Sequence, residues 1–285
     1  MNNSTVDGQN QLSFSRFFEL EIFNGRKNQL LVWLKDRLIF EKKVTILLTP
    51  NAEQIVLSRE NPTFLSHLQA ADVLIPDGAG LVIASKIISK LAKDSNKLRA
   101  RSLTERITGV DIVRNLLEMA ANHDQKILVI GGRDYHQLKL TNNWQIKEKN
   151  QLDLYEFSNV SAGKRLSFFW TSAYEDVNCP GQDEENKLLQ QVSSLKPDGV
   201  LVAFGAPLQE KWLIDHKDFL TDSGVKLAMS VGGSIDFILG KAKRAPVWMQ
   251  NLALEWLFRL LTEPWRWRRQ LRLIKFWGWV AREIW

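Results

Sequence analysis

The chain has 285 residues, of which 45% are hydrophobic, 25% charged and 10% aromatic. That composition supports a sizeable globular core and excludes intrinsic disorder and collagen-like repeats. With Cys179 as the single cysteine it also excludes an intrachain disulfide framework, and it fits a reducing compartment. The formal net charge of +6 is concentrated at one end. Residues 241–285 hold ten basic and three acidic side chains, whereas the first 240 residues sum to −1. The same tail carries seven of the eleven tryptophans. The N-terminal MNNSTVDGQNQLSF has no basic stretch followed by an apolar one, and no uncharged apolar run approaches the roughly 18 residues of a membrane-spanning helix. The expectation is an intracellular protein, soluble or peripherally attached to a membrane.

In chain order, residues 1–15 are expected to be mobile, and FFELEIF (17–23) suits a first strand. Leu30, Leu31, Trp33, Leu34, Leu38 and Ile39 recur near a 3.6-residue period and predict a helix over 27–41. VTILL (44–48), DVLIP (72–76), KILVIGG (126–132), DGVLVAFG (198–205) and VKLAMSVGG (225–233) read as buried strands. Asn51 with Gln54 fits a helix N-cap and its capping-box partner. Residues 155–185 show no sustained period and predict an irregular insertion. GKAKRAP (240–246) reads as a hinge, and 247–262 and 265–282 as two helices broken at Glu263-Pro264. Strands alternating with helices predict an α/β fold: a Rossmann-like parallel sheet with helices on both faces (16–243), plus a C-terminal helical appendage (244–285).

In such sheets ligands bind beyond the carboxyl ends of the strands. Three loops there are candidates. Pro76-Asp77-Gly78-Ala79-Gly80 leads into a helix over 81–90. Two readings of Asp77 fit: a turn or capping residue, or a carboxylate held ionised by the helix dipole and able to accept a hydroxyl proton. Gly205-Ala206-Pro207-Leu208-Gln209 offers a glutamine that can bond a polar ligand, or simply an ordinary surface helix start; Gly232-Gly233-Ser234-Ile235-Asp236 places an acid just inside another helix, where capping is the default reading.

Several chemistries lack their signatures. The four histidines have no metal-ligand spacing, and there is no Asp-X-Asp pair, no Gly-X-Gly-X-X-Gly, no phosphate loop and no Gly-X-Ser-X-Gly elbow. In the tail, Trp265-Arg266-Trp267-Arg268-Arg269 fits four uses. These are a diphosphate clamp, an anionic membrane surface, single-stranded nucleic acid, or helices packed on the body with a solvated basic face.

Taken together, six segments resemble the WecG/TagA/CpsF family of bacterial glycosyltransferases: TPNAE (49–53), PDGAGLV (76–82), ERITGVD (105–111), GAPLQEKW (205–212), GGSIDFILGKAKRAP (232–246) and LEWLFRLLTEPWRWRR (254–269). The resemblance implies inverting, metal-independent transfer of an N-acetylmannosamine-type sugar from a UDP-sugar donor to a polyprenol-diphosphate-linked acceptor at the inner membrane face. No cofactor, metal or nucleic acid is implied, the tail would meet the membrane, and homo-oligomerisation stays open. Carried over, Asp77 matches the general base. Thr49, Asn51 and Gln209 match the pocket beside it. Arg259, Arg266 and Arg269 match the arginines of the appendage that hold the donor diphosphate. Arg106 and Asp236 match further substrate-binding positions. The 155–185 segment is longer than in relatives, which leaves the donor sugar open.

Overall fold

The computed structural model describes residues 11–91, 102–137, 140, 143–147, 149–161, 164–251, 254–262, 264 and 267–284. Of the expected mobile N-terminus, residues 1–10 lie outside the described set; the rest leads into a hairpin of β1 (Phe14–Phe17) and β2 (Leu20–Phe23). The single strand expected over 17–23 is thus broken by a turn at Phe18, whose φ is +53°.

Among the described residues the body is built on eight strands: β3 (Thr45–Leu48), β4 (Val73–Leu74), β5 (Ile127–Gly131), β6 (Gln145–Lys147), β7 (Tyr155–Ser161), β8 (Lys164–Thr171), β9 (Gly199–Ala203) and β10 (Leu227–Ser230). They lie in the order β4-β3-β10-β9-β5-β8-β7-β6. The six from β4 to β8 are parallel, and β7 and β6 close one edge antiparallel. The central strands are apolar on both faces because both are covered. Ile46, Leu128, Val200 and Ala228 face one core; Leu47, Val129, Leu201 and Met229 face the other.

Helices α1 (Lys27–Phe40) and α5 (Gly109–Asn122) cover the second core, through Leu30, Leu34 and Leu38 and through Ile112, Val113 and Leu116. The first core is covered by α2 (Ala52–Glu60), α3 (Pro62–Gln69), α4 (Ala79–Leu91), α6 (Gln182–Leu195) and α7 (Leu208–Asp215). The expected capping box is present: the Gln54 amide N–H donates to Asn51 Oδ1 at 3.1 Å, and the Asn51 N–H to Gln54 Oε1 at 3.0 Å. Short helices α8 (Lys217–Asp222) and α9 (Ser234–Ile238) follow β9 and β10.

Of the irregular insertion expected over 155–185, residues 172–181 do lie outside helix and strand, whereas the part before them is corrected. Tyr155–Ser161 and Lys164–Thr171 pair antiparallel as β7 and β8, and β8 joins the parallel sheet beside β5. Phe157, Phe168 and Trp170 are buried there, with the Phe157 and Phe168 rings stacked at 5.1 Å. In β7 the buried Phe157 is followed by the buried polar residues Ser158 and Asn159, and in β8 Phe168, Phe169 and Trp170 follow one another, so neither strand shows the continuous apolar run or the clean alternation that marks a strand in sequence.

The tail forms α10 (Val247–Asn251), α11 (Glu255–Thr262) and α12 (Trp267–Ile284), three helices where two were expected. The last docks on the first-core face. Phe276 and Val280 are buried, Arg272 pairs with Glu53 at 2.9 Å and Lys275 with Glu60 at 2.6 Å. Arg59 lies between the Phe18 and Trp279 rings, 5.0 and 4.8 Å from their centroids, so the N-terminal hairpin and the last helix share one clasp. The 240–246 stretch, expected as a hinge, is pinned to the start of α5: Arg244 reaches Asp111 at 2.9 Å and Thr108 at 3.3 Å.

Candidate active site

The carboxyl ends of β3, β4, β5, β9 and β10 open into a cleft of about 1040 Å³, roofed by α11 and the start of α12. That is the upper end of the roughly 300–1,000 Å³ range of small-molecule sites. Asp77 lies on its floor, after β4. Its position is set by backbone contacts on both sides: its own N–H donates to Pro50 O at 3.1 Å, and the Ile107 N–H donates to Pro76 O at 3.2 Å. Gly78 takes φ +99°, a left-handed conformation that glycine adopts without a Cβ clash, and so turns the chain directly into α4. Gly109, at the start of α5, comes close enough that a Cβ there would stand 3.7 Å from both Asp77 Oδ2 and Thr49 Oγ1.

The protonation of Asp77 differs from the expectation of a simple dipole-held carboxylate. Burial pushes its pKa up to about 6; Arg106 and Arg259 pull it back, Glu255 adds to the rise, and the Gly109 N–H lowers it. Desolvation outweighs the nearby positive charges. The group is mostly ionised at pH 7 and a stronger base than an exposed aspartate.

Guanidinium groups surround this carboxylate. Arg106 pairs with Glu255 of α11, and Arg244 Nε approaches the other Glu255 oxygen at 4.0 Å. Arg259 of α11 lies over the Phe237 ring at 4.8 Å and faces the cleft. Arg133, after β5, reaches Asp236 Oδ2 at 3.2 Å, while the Tyr135 hydroxyl donates to Asp236 Oδ1 at 2.9 Å. Burial and the Asp236 charge push the Tyr135 pKa up, so it stays a phenol donor.

A family model for the glycosyl transferase WecG/TagA/CpsF family matches residues 15–285. The chain belongs to this family. It is a glycosyltransferase. It is similar to proteins named N-acetylglucosaminyldiphosphoundecaprenol N-acetyl-beta-D-mannosaminyltransferase from two Bacillus species and from Staphylococcus aureus. The Bacillus subtilis relative is 27% identical over 89% of this chain and 85% of its own length. The Bacillus spizizenii relative is 27% identical over 90% and 87%. The Staphylococcus aureus relative is 27% identical over 80% and 74%.

Of the expected site residues, the structure brings Asp77, Thr49, Asn51, Arg106, Gln209, Asp236 and Arg259 to this one cleft. Gln209 is almost fully buried, and its carbonyl oxygen already accepts the Gly205 and Gly232 N–H groups, each at 3.1 Å, so it braces two loops of the family's cleft. Asn51 uses its Oδ1 as the α2 cap. Arg269 lies in the first turn of α12, and Arg266 falls outside the described residues. Sequence reasoning missed Gly109, Arg133, Tyr135, Arg244 and Glu255. Gly109, Arg244 and Glu255 stand in the segments 105–111, 232–246 and 254–269 that carry the resemblance, which was the signal available. Among the described residues, no three His, Cys, Asp or Glu side chains cluster so as to hold a metal ion, and no helix is long and apolar enough to cross a membrane.

Proposed function

We propose that the chain transfers an N-acetylmannosamine-type sugar from a UDP-sugar to a sugar carried on polyprenol diphosphate, with inversion and without a metal. The observation that carries this reading is the placement of one strong carboxylate base, Asp77, on the floor of a cleft gathered about by guanidiniums. Asp77 takes the proton from the acceptor hydroxyl as that oxygen attacks the anomeric carbon. The bond from that carbon to the diphosphate oxygen breaks on the opposite face, and its electron pair leaves with UDP. Arg106 and Arg259 offset the charge that develops on the leaving phosphate; Arg266 and Arg269, from the same motif, belong to the same task in this reading. The names of the bacillary and staphylococcal relatives support the acceptor and the transferred sugar.

A lipid-linked acceptor also accounts for the tail. Trp267, Leu271 and Ile274 follow one another at i, i+4 and i+7 on an exposed face of α12, opposite the docked Phe276 and Val280. Leu271, Ile274 and Trp277 line the cleft mouth as well. In this reading that face lies in the lipid interface on the inner side of the membrane and sets the cleft mouth over the acceptor.

The test is UDP release from a panel of UDP-sugars in EDTA, with and without a short-chain polyprenol-diphosphate-GlcNAc. Acceptor-dependent release in EDTA is expected, greatest with UDP-N-acetylmannosamine. A better UDP-hexose would change the donor but keep the chemistry, and release that requires a divalent cation would overturn the metal-free mechanism.

A further inference from the structure

One carboxylate of the Gly205–Trp212 segment plays no part in that mechanism. Glu210 on α7 is fully buried behind the cleft wall. Its Oε1 accepts two amide N–H groups, Gln54 Nε2 at 3.1 Å and Gln209 Nε2 at 2.8 Å. Each of those amides turns its carbonyl oxygen the other way. Gln54 Oε1 accepts the Asn51 N–H at 3.0 Å, and Gln209 Oε1 accepts those of Gly205 and Gly232, both at 3.1 Å. A glutamine amide can be reversed end for end, but only its NH2 end can meet an accepting oxygen. One buried acid therefore dictates the orientation of both glutamines, and through them the backbone after β3, β9 and β10.

The second oxygen, Oε2, faces the Ser230 hydroxyl on β10. By geometry, neither atom makes a hydrogen bond among the described residues. Burial raises the Glu210 pKa to about 7, against weaker opposing hydrogen bonds from Gln209, Ser230 and Gln54. Whether or not Oε2 carries a proton, Oε1 remains the acceptor for the two amides.

We propose that Glu210 is a positioning residue for glycosyl transfer, holding Gln54 and Gln209 in the one orientation that sets the Asn51, Gly205 and Gly232 backbone around Asp77. The proposal rests on the transfer reaction proposed above. It makes no contact with substrate; it acts through the two glutamines.

Three substitutions test it on the full chain, with folding of each followed by circular dichroism and thermal melting. Glu210→Met keeps the volume and removes the acceptor. Its kcat is expected to fall roughly 10- to 100-fold with the donor KM within about threefold, since misplaced reacting groups raise the barrier more than they weaken ground-state binding. Glu210→Gln presents an oxygen to the two amides and an N–H to Ser230, and is expected to stay within about threefold of wild type. Glu210→Asp keeps the acid but withdraws it by one methylene, and is expected to lose kcat; should Glu210→Met fail to fold, the Asp and Gln variants decide the question. Wild-type kcat in Glu210→Asp or Glu210→Met, or a Glu210→Gln as slow as Glu210→Met, would overturn the role. Amide hydrogen exchange at Asn51, Gly205 and Gly232 is read in parallel, with protection expected to drop in Glu210→Asp and to persist in Glu210→Gln. If wild type releases no UDP, the donor reading fails, and unchanged protection in Glu210→Asp then overturns the positioning role separately.

Discussion

Arg106, in the loop before α5, forms an ion pair with Glu255 on α11, and both charges act on Asp77 on the cleft floor below them. The contact ties the C-terminal appendage to the body beside the base, where the appendage's Glu255 and Arg259 both bear on Asp77. Arg106 pulls the Asp77 pKa down and Glu255 pushes it up, so the appendage and the body set the basicity of the site together.

The first prediction is a pair of opposite shifts. Asp77 must be ionised to accept a proton, so kcat/KM falls as pH drops through its pKa near 6. Glu255→Gln removes a negative neighbour and moves that acid limb to lower pH. Arg106→Gln removes a positive one and moves it to higher pH. A pH profile of kcat/KM for the three proteins checks both directions; limbs that coincide would detach Asp77 from the acid limb.

Asp77→Asn should lose about 10²- to 10⁴-fold in kcat, the usual contribution of a general base, while UDP affinity by calorimetry stays within about threefold. It should also melt higher at pH 7–8. A folded-state pKa near 6, raised from 3.8 by burial, means that the ionised form destabilises the folded state at neutral pH by roughly 3 kcal/mol. The sign runs with the proton: the cost vanishes where both states are protonated, below about pH 4. Melting curves at pH 8 and pH 4 should therefore separate wild type and variant only at the higher pH.

Phe276→Ala should loosen the appendage. The ring is fully buried, with the Phe17 and Phe18 rings 6.4 and 6.5 Å away, and truncating a buried phenylalanine costs about 3–5 kcal/mol. Limited proteolysis should then cut the tail well before the body, and an unchanged cleavage pattern would show that the Arg272–Glu53 and Lys275–Glu60 pairs suffice to hold it.

Ile274→Glu tests the membrane face. Ile274 is 70% exposed, so the change should leave the melting temperature alone. Losing a buried isoleucine and adding a charge at a lipid interface should weaken binding to anionic vesicles about tenfold or more, read by co-sedimentation. Equal binding would move the lipid contact elsewhere.

Much of the fold was readable because its physics is local. VTILL, KILVIGG, DGVLVAFG and VKLAMSVGG are continuous apolar runs, as two-sided burial requires, and each contains a strand. The Asn51–Gln54 capping box spans three residues and formed as the sequence implied. The strands β7 and β8 carry no clear sequence signal because Ser158 and Asn159 are buried polar residues beside Phe157, and Phe168, Phe169 and Trp170 follow one another without a two-residue period. Asp77 stood out for its glycine turn, whereas Glu210 and Glu255 did not, although both stood inside recognised segments.

The difference lies in separation along the chain. Sequence alone determined what neighbouring residues decide among themselves: period, capping, the turns at strand ends, and a tail rich in tryptophan and positive charge. Six motifs in order also placed the chain in its family. What Glu210 and Glu255 do depends on partners 156 and 149 residues away, Gln54 and Arg106. Such contacts exist only once the sheet has brought the ends of β3, β9 and β10 together and the tail has folded back over them. Tertiary structure likewise decided the protonation of Asp77, because burial is a property of the surroundings, and here desolvation outweighs the charges that a linear reading puts beside it.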